Sequence, residues 1–101
     1  MMVKINSKAY NPKISNSVLL LFASEEGIDL ADYGKMLSKF SYEKAVKLFV
    51  FACNKSGETL TESEVHDEVD NRIDAVAEIV THISNSLNPV EEKKRVKKMA
   101  V

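Results

Sequence analysis

Two short segments limit what this chain can fold into. Val18-Leu19-Leu20-Leu21-Phe22-Ala23 and Leu48-Phe49-Val50-Phe51-Ala52-Cys53 are each apolar without interruption. Neither approaches the roughly 20 apolar residues of a membrane span. Read as helix interiors, both are apolar on every side, and a helix with no polar face must be covered on most of its surface. In 101 residues there is little other material to do the covering. Either the two helices cross at the centre of a small bundle, or some of Leu19, Leu20, Phe49 and Phe51 stay at the surface. Exposed together, such residues mark a contact with another polypeptide.

The segments between these runs carry local signals for further elements. Val3 and Ile5 alternate with Lys4 and Asn6, a period-two pattern that predicts a short edge strand. Asn6-Ser7 or Asn11-Pro12 supplies a turn, and Ala9-Tyr10 a returning strand. Ser15 or Ser17 caps the first helix, which ends at Glu25-Glu26-Gly27, where the glycine suits a left-handed stop. Asp29 is placed to cap a short second helix to about Leu37, with Leu30, Tyr33, Met36 and Leu37 on one face. Ser41 opens a third helix, Tyr42 to about Asn54, the candidate centre of the fold. Thr61 and Glu64 have the spacing of a capping box. A last helix is predicted from about Asn71 to Leu87, with a stripe of Ile73, Val76, Ala77, Val80, Ile83 and Leu87, broadened by Ile79. The predicted fold is mainly α: a four- to five-helix bundle with a short N-terminal β-hairpin.

The charge is unevenly divided. Residues 90–101 hold Lys93, Lys94, Arg95, Lys97 and Lys98 against Glu91 and Glu92, a net +3 within a total of −1. The rest is therefore mildly acidic. Pro89 disfavours helical angles at Asn88, so residues 1–88 are expected to form one domain and residues 89–101 a flexible basic tail. The overall balance argues against bulk polyanion binding. No aromatic residue interleaves the lysines, which leaves base stacking without support. Met1 to Ile5 lacks the charged-then-apolar order of a secretion signal, and one cysteine permits no intrachain disulfide. The expectation is a cytoplasmic protein outside the membrane.

Residues with chemical potential are sparse. Cys53 sits in the most apolar helix and reads as a small core residue rather than a reactive thiol. His66 with Asp70, and Glu78 with His82, are spaced to meet on a helix face. Each pair offers one nitrogen and one oxygen, too few to hold a metal, so surface hydrogen bonding is expected. Asp67, Asp70 and Asp74 form an acidic face, and the glycine that a calcium loop requires is missing. Gly27, Gly34 and Gly57 are isolated and build no phosphate-binding loop. Ser15, Ser17 and Ser41 read as caps. The expectation is a non-enzymatic chain with no cofactor and no metal, whose apolar helix faces are its working surface.

The order of these features also resembles a known family. Val3-Lys4-Ile5-Asn6-Ser7-Lys8-Ala9-Tyr10, then Ile14-Ser15-Asn16-Ser17-Val18, a first helix closed by Glu25-Glu26-Gly27, Asp29-Leu30, an apolar helix, Leu60-Thr61-Glu62-Ser63-Glu64-Val65 and an amphipathic helix from Ile73 to Leu87 resemble the tail assembly chaperones of tailed bacteriophages across residues 3–88. The resemblance implies a small helical phage or prophage protein. It would bind the tape measure protein, keeping its apolar segments soluble while tail tube subunits assemble. It also implies that a longer form can arise by ribosomal frameshifting. The partner-binding residues expected on this reading are Leu19, Leu20, Phe22, Phe49 and Phe51, with self-association when no partner is present. The competing class is a small helical regulator that binds nucleic acid through Lys93, Lys94, Arg95, Lys97 and Lys98. It requires a basic stripe on a folded helix, and the last helix before the tail offers only Arg72.

Overall fold

A two-residue turn sets the start of the chain. Asn6 and Ser7 both take left-handed backbone angles, φ 54° and 65°, the geometry of the tight turns whose twist matches a β-hairpin. They join β1 (Val3–Ile5) to β2 (Lys8–Tyr10), paired antiparallel with Val3 opposite Tyr10 and Ile5 opposite Lys8. Val3, Ile5 and Tyr10 face inward and are buried. The computed structural model describes residues 3–100, with side chains described for residues 3–87.

Five α-helices follow: α1 (Asn16–Glu25), α2 (Tyr33–Ser38), α3 (Tyr42–Lys55), α4 (Glu62–Asn71) and α5 (Asp74–Ala100). The mainly α architecture with an N-terminal hairpin is the one the sequence predicts. Ser15 Oγ accepts from Val18 N–H and Ser41 Oγ from Lys44 N–H, as helix caps. Thr61 and Glu64 close a reciprocal capping box on α4. At the other ends, α1 and α3 stop alike. Gly27 and Gly57 are left-handed, at φ 71° and 89°, and the following N–H groups of Ile28 and Glu58 turn back to the Ala23 and Cys53 carbonyls, each at 2.9 Å. That arrangement satisfies carbonyls a helix end would otherwise leave bare.

α3 lies at the centre. It buries Ala45, Val46, Leu48, Phe49, Ala52 and Cys53 and packs against α1, α4 and α5. β1 lies against α4 and α5, where its open edge is covered by side chains. Glu78 Oε1 accepts from Lys4 N–H at 3.3 Å, Glu68 Oε1 accepts from Asn6 N–H at 3.0 Å, and Arg72 Nη2 donates to the Lys4 carbonyl at 2.8 Å. An edge strand so occupied cannot pair with a foreign one.

Three boundaries differ from the sequence reading. The predicted second helix is a single 3-10 turn (Leu30–Asp32) leading into α2; Asp29 makes no side-chain cap and Leu30 is 78% exposed. Gly34 and the missing cap leave that segment little helical drive. Arg72 is extended, φ −154° and ψ 95°, so α5 starts at Asp74 rather than Asn71. At its far end α5 passes Pro89 and runs to Ala100, beyond the predicted stop at Leu87. Proline's fixed φ is itself helical and forfeits one hydrogen bond. The Glu, Lys, Arg, Met and Ala around it are strong helix formers that offset the loss. Lys93, Lys94, Arg95, Lys97 and Lys98 fall in this stretch, and their side chains lie outside the described residues.

Candidate protein-binding site

The face that α5 buries only partly matches the stripe its sequence advertises, sharing Ile79 and Ile83 with it. Ala75, Ile79, His82 and Ile83 point inward, whereas Ile73 is 72% and Val80 47% exposed. Ala77 is exposed as well, and Val76 and Leu87 are half-buried. The helix is turned so that its best apolar line runs along the boundary between core and solvent. His82 shows why. Its ring packs edge-on against Phe49, centroids 5.8 Å apart, and Nε2 lies 2.7 Å from the Pro12 carbonyl oxygen. The carbonyl can only accept, so Nε2 donates. A satisfied histidine thus takes a core position and displaces Val80 outward.

This rotation opens a groove between α5 and the segment joining α2 to α3. Its wider end is a pocket of ≈ 280 Å³ bordered by Leu37, Phe40, Val80, Ile83 and Leu87. Its narrower end, ≈ 150 Å³, is bordered by Phe40, Tyr42, Val46, Val76 and Val80. Phe40, Ala45 and Val80 belong to both, so the two form one nearly apolar trough. Tyr42 is held over its rim by a 2.7 Å hydrogen bond between its hydroxyl and His66 Nδ1.

The residues expected to contact a partner divide. Leu19, Phe22 and Phe49 are core residues, 2%, 2% and 0% exposed, which removes them from any surface. They line up with the buried sides of α1 and α3 because those helices do cross at the centre. Leu20 is exposed, and so is its neighbour Leu21, at 42% and 49%. Phe51 is half-buried, edge-on to Phe22 and beneath the Lys55 ammonium. Phe51 also lines a shallow cleft between α1 and α3 with Glu25, Glu26, Lys47 and Glu62. The trough residues Phe40, Tyr42 and Val80 were not among the expected contacts. For Val80 the sequence signal was its place in the α5 stripe; Phe40 and Tyr42, in and after the connection between α2 and α3, carried none.

The polar pairs also rearrange. Glu78 and His82 do not meet: Glu78 binds Arg72 and Lys4, and His82 goes to Pro12. His82 is therefore buried rather than a surface hydrogen bonder. His66 pairs with Tyr42, not Asp70. Arg72 bridges Glu68 at 2.9 Å and Glu78 at 3.1 Å. Its guanidinium holds the Glu78 carboxyl below the usual range, and the Asn6 N–H with Arg72 does the same for Glu68. Arg72 is thus committed to internal contacts. Cys53 is fully buried, and burial pushes its thiol up to about 12. Among the described residues no group of three His, Cys, Asp or Glu side chains is placed to hold a metal, and no helix is long and apolar enough to cross a membrane.

Comparison with known protein families, curated proteins and solved structures finds no match.

Proposed function

We propose that this chain is a non-enzymatic binding protein that receives an apolar helical segment of another polypeptide in the α3–α5 trough. One observation carries the reading: part of the apolar stripe of α5 stays at the surface, with Val80 exposed in the lining of a preformed, mostly apolar groove. Monomeric proteins rarely leave such faces uncovered. A helix laid in a groove by residues at i, i+3 and i+7 is a common recognition mode, and Leu37, Phe40, Tyr42 and Leu87 give such a helix its walls. Acidic Asp67, Asp70 and Asp74 lie near one end and keep the surroundings solvated.

The resemblance of residues 3–88 to tail assembly chaperones names the client class: apolar helical stretches of a tape measure protein, covered until tail tube subunits enclose them. Exposed Leu20 on α1 and half-buried Phe51 on α3 lie outside the trough lining and would offer the client a separate contact. The test is co-expression with the tape measure protein of the same phage or prophage, followed by affinity capture. Capture by the parent chain, lost on Val80→Lys with the fold retained by circular dichroism, is the expected result. No capture, or capture indifferent to Val80→Lys and Tyr42→Ala, refutes the site.

A further inference from the structure

We infer that the shallow cleft between α1 and α3 is a second docking site, for a basic segment of another polypeptide that carries apolar residues between its lysines or arginines. The inference gives a chemistry to the separate contact at Phe51, and it stands whether or not the trough takes a client.

The cleft has a volume of ≈ 400 Å³. Val50 and Phe51, both half-buried, give it an apolar floor, and Glu25, Glu26, Glu62 and Lys47 complete its lining. Three carboxylates stand there against one ammonium, a net −2. The internal ion pairs leave that excess in place. Glu26 has Lys44 at 3.4 Å, and Lys47 lies 3.8 Å from Glu43, a carboxylate outside the lining. Among the described residues, Glu25 and Glu62 make no ion pair, and both are exposed.

Two further features select a cation. Glu25 and Glu26 stand at the C-terminal end of α1, and its last turn holds no basic residue. The helix dipole is already negative there, so carboxylates and dipole together favour a positive charge brought to that end. The Phe51 ring in turn accepts a cation within this structure: Lys55 Nζ lies 5.4 Å from its centroid, inside the range of cation–π attraction. Lys55 is exposed, so an incoming ammonium or guanidinium can take its place. An acidic segment would meet like charges at Glu25, Glu26 and Glu62. An uncharged one would strip water from Glu25 and Glu62 and return no partner. The apolar floor adds the second requirement, since a purely hydrophilic cation leaves Val50 and Phe51 uncovered. The trough makes the opposite choice, because no charged side chain lines it.

Fluorescence anisotropy with two labelled helical peptides tests the inference: one of leucine and lysine, the other of the same pattern with glutamate for lysine. The intact chain should bind the lysine peptide and not the glutamate peptide, more weakly as salt rises. Glu25→Lys with Glu62→Lys should weaken binding roughly tenfold or more. Lys55→Gln, which removes the competing cation, should strengthen it roughly twofold. Asp67→Lys with Asp74→Lys, and Lys13→Gln, make the same charge changes at exposed positions outside the cleft and should have little effect. Circular dichroism checks that each variant is folded. Four results overturn the inference: no binding, equal binding of oligolysine without leucine, equal losses from the two pairs of reversals, or loss on Val80→Lys but not on Glu25→Lys with Glu62→Lys. The third result shows bulk charge alone, and the fourth puts the peptide in the trough.

Discussion

His82→Leu isolates the interaction that decides how α5 is rotated. His82 is 7% exposed and reaches the Pro12 carbonyl across 70 residues of sequence. Leucine fills a similar volume but donates nothing, so the Pro12 oxygen loses its protein partner. Leaving a buried acceptor unpaired costs about 1–3 kcal/mol. The lost edge-to-face contact with Phe49 adds about 0.5–1.5 kcal/mol. Leucine's greater apolarity returns part of this, and the net expectation is about 1–3 kcal/mol. For a domain of this size each kcal/mol moves Tm by roughly 4–8 °C. Urea unfolding followed at 222 nm should show a lower midpoint with an unchanged slope. His82→Gln, which retains an N–H donor on a flexible stem, should recover part of the loss. In a double-mutant cycle, His82→Leu with Phe49→Leu should show coupling of about 0.5–1.5 kcal/mol. A His82→Leu chain as stable as the parent, with no coupling to Phe49, would refute the claim that this histidine anchors α5.

Three further outcomes follow from the same contacts. Glu68 and Glu78 titrate below the usual carboxylate range because Arg72 and the Lys4 and Asn6 N–H groups favour their charged forms. A lowered folded pKa contributes stability that is present above the unfolded carboxylate pKa and fades as pH falls through the folded value. Arg72→Gln should therefore flatten the acid limb of the stability–pH curve, and an unchanged limb would place the acid sensitivity elsewhere. Cys53, raised to about 12 by burial, should react with a thiol reagent at pH 8 only slowly, and quickly once urea unfolds the chain; fast labelling of the native protein would contradict its core position. On α5, Ile79→Ala should cost about 2–5 kcal/mol, whereas Val80→Lys one position away should change stability by no more than about 0.5 kcal/mol; comparable losses at both would mean that Val80 is part of the core after all.

What the sequence disclosed was whatever depends on neighbours along the chain. Ser15, Ser41 and the Thr61–Glu64 box act within three residues of themselves, and Gly27 within five, so their roles could be read from spacing. The hairpin was visible in the alternation of Val3 and Ile5, with Asn6-Ser7 one of two candidate turns. The rotation of α5 was not visible, because it rests on His82 meeting Pro12 and Phe49, residues distant in sequence. By the period of its apolar residues α5 should have buried Ile73 and Val80; the long-range hydrogen bond outweighs that preference and buries Ala75 and His82 instead. The same distance hid Arg72, which looked like the lone basic residue of a binding helix and proves to clamp β1 against α4 and α5. The apolar runs mislead for a simpler reason. A helix apolar on all sides does not say which sides are covered, and Leu19 and Phe22 went in while Leu20 and Leu21 stayed out.

That distribution bears on the proposed contact with another polypeptide. Its core closes without Ile73 and Val80: Phe22, Phe49, Leu48, Ile5 and Ile79 are all buried and centre on α3. The exposed apolar side chains are therefore surplus to the fold, and removing them leaves the buried contacts intact. An exposed valine or isoleucine contributes little to a fold it does not pack into. Ile73, Val80, Leu20 and Leu21 are exposed while a polar His82 is placed in the core. An apolar residue outside and a polar one inside, on adjacent turns of one helix, are the reverse of what stability alone would arrange. The proposed contact beyond the protomer would account for both, because it would bury the exposed apolar side chains and use the rotation that His82 enforces.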